Sequence, residues 1–141
     1  MGHVFVKATV CTIDKLKCVE VEGLVDTGAT LTVIPRSIAE ELGLKIIRRD
    51  VVETGAGLVE IDRGLAIISI AGREVVTEVW ISNIISRVLI GTTTLEMMGL
   101  KVDPRTGKLE PSPLLLYNLL LATDHEIQCF MEKQLESRIT P

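Results

Sequence analysis

The sequence is poor in the residues on which several common chemistries depend. Of its 141 residues only Phe5, Trp80, Tyr117 and Phe130 are aromatic, too few for the platforms on which unpaired bases stack. Fifteen basic residues stand against nineteen acidic ones, a net charge of −4, and no long basic run offsets the excess. Nucleic acid is therefore not expected as a partner. The two histidines, His3 and His125, have no cluster of acidic residues and cysteines about them, so neither a metal site nor a cofactor is expected. Cysteine is scarce and odd in number. Cys11, Cys18 and Cys129 do not describe a secreted disulfide framework. Residues 1–10 lack the charged start and apolar run of a signal peptide. The longest apolar stretch, Leu114–Ala122, is broken by Asn118 and falls short of the roughly 20 residues a membrane span needs. The expected compartment is the cytoplasm, and membrane association is not expected.

What is present is aliphatic. Hydrophobic residues make up 47% of a 15.4 kDa chain, which suits one domain burying about two thirds of its unfolded surface. Val4, Val6, Ala8 and Val10 alternate with Phe5, Lys7 and Thr9, and Val19 and Val21 alternate with Cys18, Glu20 and Glu22. That period of two predicts a half-buried hairpin around the polar turn 13–16. Cys11 and Cys18 flank this turn and could pair across it, although a reducing compartment would keep them as thiols. Pro35 and Gly43 bracket a short helix. Further strands are expected near 45–53, 58–61, 65–70, 74–81 and 88–90, with Trp80 in the core. A second helix is expected over Thr92–Met98, capped by Thr92 or Thr93 and closed by Gly99. After Pro113 the composition shifts. Residues 114–122 are almost wholly apolar, and Ile127, Phe130, Met131 and Leu135 recur at helical spacing behind a Thr123/Glu126 capping box. The expected organisation is a β-domain over 1–111 and a helical extension over 112–141.

Chemistry concentrates at Asp26-Thr27-Gly28-Ala29, set between apolar flanks Leu24-Val25 and Leu31–Ile34. A glycine two residues after a carboxylate lets the chain turn and presents backbone donors to it. On three letters alone an ordinary Asp-containing turn is the commoner explanation. Two further elements lie downstream: Thr54-Gly55-Ala56-Gly57, and Val88-Leu89-Ile90-Gly91 followed by a helix and Gly99-Leu100.

In order and spacing the three elements over residues 3–110 resemble the single-domain retroviral-like aspartic peptidases. The resemblance implies a mostly β, closed antiparallel barrel of the acid-protease type with two short helices, here with a helical tail. It implies an aspartic endopeptidase in which paired carboxylates share one proton and activate water. Only one Asp-Thr-Gly is present, and Asp62-Arg63-Gly64 lacks the hydroxyl residue, so the resemblance implies a homodimer with Asp26 from each subunit on the two-fold axis. Asp26, Thr27 and Gly28 are the implied catalytic segment. Ala29, Ile34, Val52, Ile90 and the flap Gly55-Ala56-Gly57 are the implied contacts to a peptide or protein substrate. Ala29 stands where some relatives carry a hydroxyl, so activity is expected to extend to mildly acidic or near-neutral pH. Thr30 and Thr92 replace an acid and an arginine that pair near the dimer contact in retroviral relatives; the tail segment Leu114–Leu121 is the expected substitute. The alternative is a catalytically silent, dimeric peptide-binding module of the same fold. A membrane-associated regulator acting through the tail is a third reading.

Overall fold

The computed structural model describes residues 3–114; the expected helical extension beyond Leu114 lies outside them. Nine strands and two helices follow in the order β1 (Phe5–Cys11), β2 (Cys18–Val25), β3 (Val33–Pro35), α1 (Arg36–Leu42), β4 (Ile46–Thr54), β5 (Gly57–Ile70), β6 (Arg73–Ser82), β7 (Leu89–Ile90), α2 (Thr92–Met98), β8 (Leu100–Asp103) and β9 (Lys108–Pro111). The first seven strands form one sheet in the order β1-β2-β7-β3-β6-β5-β4, and β1 pairs additionally with β5 through Ala8↔Ile70 to Cys11↔Ile67. β8 and β9 form a separate hairpin. Pairing is not antiparallel throughout: β2 runs parallel to β7, and β3 parallel to β6. Among the described residues no helix is long and apolar enough to cross a membrane.

The β1–β2 hairpin forms as its alternation requires, with Ala8 and Val10 buried and Lys7 and Glu20 exposed. Cys11 lies directly across from Cys18, and the two are joined as a disulfide. The core is almost entirely aliphatic. Ile34, Ile68, Ile81 and Ile90 are fully enclosed, each contributing about 1.5–3 kcal/mol relative to exposure. α1 begins directly after Pro35 and ends at Gly43, whose positive φ of 71° closes the last turn.

Two expectations are corrected. Residues 58–61 and 65–70 are not separate strands: β5 is continuous for 14 residues. The intervening Asp62-Arg63-Gly64 stays in the sheet because both charges find partners, as described below, and because Gly64 is buried where a Cβ would lie 2.8 Å from the Lys45 carbonyl oxygen. The second correction is the start of α2. Its N-cap is Gly91, and no threonine hydroxyl caps it. Backbone carbonyls do so instead: Thr92 N–H donates to Ala29 O at 2.9 Å and Thr93 N–H to Thr30 O at 3.0 Å. These satisfy donors that a helix leaves unpaired at its start.

Candidate active site

β2 delivers Asp26 to the end of the sheet, and the loop 26–32 returns the chain to β3. β7 lies between the two, parallel to β2 (Leu24↔Leu89, Val25↔Ile90) and antiparallel to β3 (Val33↔Leu89). Backbone hydrogen bonds tie the loop's start to it: Leu24 N–H donates to Val88 O and Asp26 N–H to Ile90 O, both at 2.9 Å. The chain then leaves β7 at Gly91 and passes against the loop. A Cβ at Gly91 would lie 2.5 Å from the carbonyl carbon and oxygen of Leu31 and 2.9 Å from Ala29 O, so only glycine fits without moving backbone.

Within the loop, the half-buried Asp26 accepts a hydrogen bond at Oδ1 from Gly28 N–H at 2.9 Å, and its carbonyl accepts Ala29 N–H at 3.1 Å. Thr27 and Gly28 are exposed. Behind the loop the buried Thr32 hydroxyl accepts Gly91 N–H at 3.1 Å and shares a 2.6 Å hydrogen bond with the buried Thr94 hydroxyl. Thr92 contributes a second donor to Ala29 O through its hydroxyl at 3.3 Å. The loop and the start of α2 are thus one hydrogen-bonded body, and Asp26 is held by backbone rather than by a counter-ion. A depression of about 640 Å³ borders Thr27, walled by Val4, Val25 and Val102.

The other expected residues are dispersed around this body. Ala29 is half-buried in the loop itself. Ile34 and Ile90 are fully buried in the core, so neither side chain opens onto a cleft of this chain. Leu89, between the buried Val88 and Ile90, is half-buried; strand alternation places it on the opposite face. Val52 is half-buried on β4 opposite Val59. Gly55, Ala56 and Gly57 form the exposed tip of the β4–β5 hairpin. There the Thr54 hydroxyl accepts Ala56 N–H at 3.1 Å and donates to Gly57 O at 2.9 Å.

Two charged clusters at the base of that hairpin were not expected, because their members are distant in sequence. Asp62 is paired with Arg36 at 2.7 Å and Arg49 at 3.3 Å, while Arg36 Nε also donates to Asn83 Oδ1 at 2.7 Å. The Arg36 hydrogen bond, foremost, holds the Asp62 carboxyl below the ordinary aspartate value against the opposing effect of burial. Asp50 accepts the Trp80 indole N–H at 2.8 Å and pairs with Arg63 and Arg48. Its carboxyl too is lowered, chiefly by the Trp80 bond. Trp80 is accordingly half-buried with its polar edge spoken for, rather than a core residue.

The sequence family described as "gag-polyprotein putative aspartyl protease" matches residues 11–97. No curated protein matches the chain. Among solved structures, the EIAV protease complexed with the inhibitor HBY-793 is similar, at 19% identity and a TM-score of 0.57, over 72% of this chain and 93% of that one. A retropepsin-like aspartic protease from Rickettsia conorii is similar at 21% identity and TM-score 0.53, over 72% and 77% of the two chains. The retroviral protease-like domain of Ddi1 from Leishmania major is similar at 23% identity and TM-score 0.53, over 84% and 98%. At these identities the likeness concerns the fold.

Proposed function

Because the chain belongs to the retropepsin-like family of gag-polyprotein aspartyl proteases, we propose that it is an aspartic endopeptidase that works as a symmetric homodimer. The observation that carries this reading is Asp26, a carboxylate with no cationic partner within 4 Å among the described residues, held by backbone in a rigid loop. Acid–base hydrolysis needs a second carboxylate beside it. Asp62, the other Asp-x-Gly aspartate, is committed to Arg36 and Arg49 on β5. The second acid therefore comes from another copy, and the depression beside Thr27 is the surface that copy would cover.

In the dimer the two Asp26 carboxyls share one proton, since like charges about 3 Å apart resist joint ionisation. The ionised one takes a proton from water, whose oxygen bonds to the scissile carbonyl carbon. The protonated one donates toward the carbonyl oxygen, and a proton then passes to the leaving amine as the C–N bond breaks. Gly28 supports the carboxylate through its N–H, and Thr27 lies at the interface. The Gly55–Gly57 tip closes over an extended peptide bound by backbone hydrogen bonds. Ala29, Val52 and the β7 segment around Ile90, over the buried Ile34, form the apolar surroundings. The β1–β5 pairing supports reading the sheet as a closed barrel. We place the peptidase domain over 1–111 and the extension over 112–141, in the cytoplasm, where the Cys11–Cys18 disulfide would have to persist against a reducing thiol pool.

Asp26→Asn tests the assignment. The variant is expected to remain dimeric and to lose pepstatin-sensitive hydrolysis of an unfolded protein; full activity would overturn it. One observation favours the silent peptide-binding module: the Thr54 hydroxyl at the hairpin tip is consumed within its own turn, leaving no polar side chain there for substrate. Self-cleavage of the wild-type chain on storage separates the two. Dimer mass after truncation beyond Pro111 tests the tail segment Leu114–Leu121, and an unchanged dimer excludes it.

A further inference from the structure

The turn between β1 and β2 is restrained beyond the needs of a hairpin. Thr12 N–H donates to Lys17 O and Lys15 N–H to Thr12 O, both at 2.9 Å. Asp14 Oδ1 accepts from the Thr12 hydroxyl at 2.6 Å and from Leu16 N–H at 3.0 Å. The Cys11–Cys18 disulfide closes the turn's base, and Lys15 adopts a positive φ of 60°. This rigid turn holds Ile13 and Leu16 in water, 50% and 84% exposed. Ordering two large apolar side chains toward solvent lowers the cost of covering them later. Between them and the end of α1 runs a groove of about 530 Å³, lined also by Leu42, Leu44 and Leu65 and flanked by Lys17 and Lys45. It lies apart from the Asp26 loop and has no part in the proposed catalysis. Its one acid, Asp14, is engaged by the turn itself.

The described chain ends at Leu114, tied to the fold beside Gly99 and Arg73. Ser112 N–H donates to Gly99 O at 2.7 Å, and Arg73 donates to Met98 O and Gly99 O at 2.7 and 3.1 Å. The next residue, Glu74, is bound to Lys15 of the turn at 2.6 Å. One guanidinium, one peptide unit and one ion pair thus link the exit point to the turn that bears Ile13 and Leu16. From Leu114 to Asp124 the chain can span about 33 Å when extended. The segment it would deliver, 124–136, repeats apolar residues at Ile127, Phe130, Met131 and Leu135. It carries Asp124, Glu126, Glu132 and Glu136 against Lys133, opposite in sign to the lysines of the rim.

We propose that segment 124–136 docks in this groove on its own protomer, apolar stripe down and carboxylates toward Lys17 and Lys45. A photoactivatable benzoylphenylalanine placed at Leu16 of the full chain tests it, using a mixture of isotopically light and heavy protein. The expected result is a cross-link from position 16 to residues 124–136 within chains of the same isotope. The double substitution Phe130→Ser and Met131→Ser should lower its yield about tenfold or more. Cross-links between light and heavy chains, cross-links to other segments, or a yield insensitive to that substitution would overturn the proposal. The readout does not depend on hydrolysis, so it stands or falls separately from the Asp26 assignment.

Discussion

Replacing Gly91 by alanine would put a methyl group 2.5 Å from the carbonyl carbon and oxygen of Leu31 and 2.9 Å from Ala29 O. Unstrained carbon contacts begin near 3.5 Å, so the intrusion is about 1 Å, and the obstructing atoms are backbone rather than the end of a pliable side chain. The conformation itself is not the difficulty: at φ −85° and ψ 167° Gly91 is extended, which alanine adopts freely. The whole cost is therefore steric. To relieve it the loop must part from the start of α2, weakening the Thr92-to-Ala29 and Thr93-to-Thr30 hydrogen bonds together. Overpacking typically costs 1–3 kcal/mol, and the immobility of the neighbours places this case at about 3 kcal/mol. For a chain of this length that is a fall in Tm of roughly 10 °C. Gly43→Ala is the control, since nothing lies within 4 Å of its Cβ and only the left-handed φ of 71° opposes it; about 1 kcal/mol is expected there. Thermal unfolding followed by circular dichroism, with peptide hydrolysis measured on the same samples, decides the matter. If Gly91→Ala melts with or above Gly43→Ala and retains wild-type hydrolysis, the tight crossing beneath the Asp26 loop does not exist.

Other outcomes follow from the same structure. Reducing the Cys11–Cys18 disulfide, or replacing both cysteines by serine, should cost about 2–2.5 kcal/mol for so short a loop; equal denaturation midpoints with and without reductant would contradict it. Thr32→Val should destabilise by about 2–3 kcal/mol, and more than Thr94→Val, because it strands the Gly91 N–H as well as the Thr94 hydroxyl. Denaturant titration ranks the two, and the reverse order would contradict the network. Asp50 and Asp62 have carboxyls lowered in the folded state, so the stability they contribute is present above the unfolded value near ~3.9 and is lost as pH falls below it. Denaturation midpoints measured from pH 6 to 2.5 should fall steeply at the acid end. The fall should be shallower in Asp50→Asn/Asp62→Asn; identical slopes would refute this role.

The parts of this molecule that were readable in its sequence are those whose cause is local. Pro35 and Gly43 bound a helix because one fixes φ at its start and the other permits a left-handed residue at its end. The β1–β2 hairpin is written in its alternation. Asp26 to Gly28, and Val88 to Gly91, could be singled out together because spacing and flanks carry family information. The misreadings have non-local causes. Asp62-Arg63-Gly64 looks like a break until Arg36, Arg49, Asp50 and Glu78 arrive from other elements to pair its charges. The threonines that open α2 look like caps until carbonyls from 63 residues earlier take their place. The complete burial of Ile34 and Ile90 within one chain likewise depends on strands distant in sequence.

The hydrogen bond joining Thr32 to Thr94 spans 62 positions of chain. A ribosome adding about 5–20 residues per second needs roughly 3–12 s to progress from the first of these residues to the second. Throughout that interval the acidic loop has been synthesised but has nothing to lean on. An emerging polypeptide therefore carries the Asp26 loop unsupported until the strand and helix that brace it have cleared the exit tunnel.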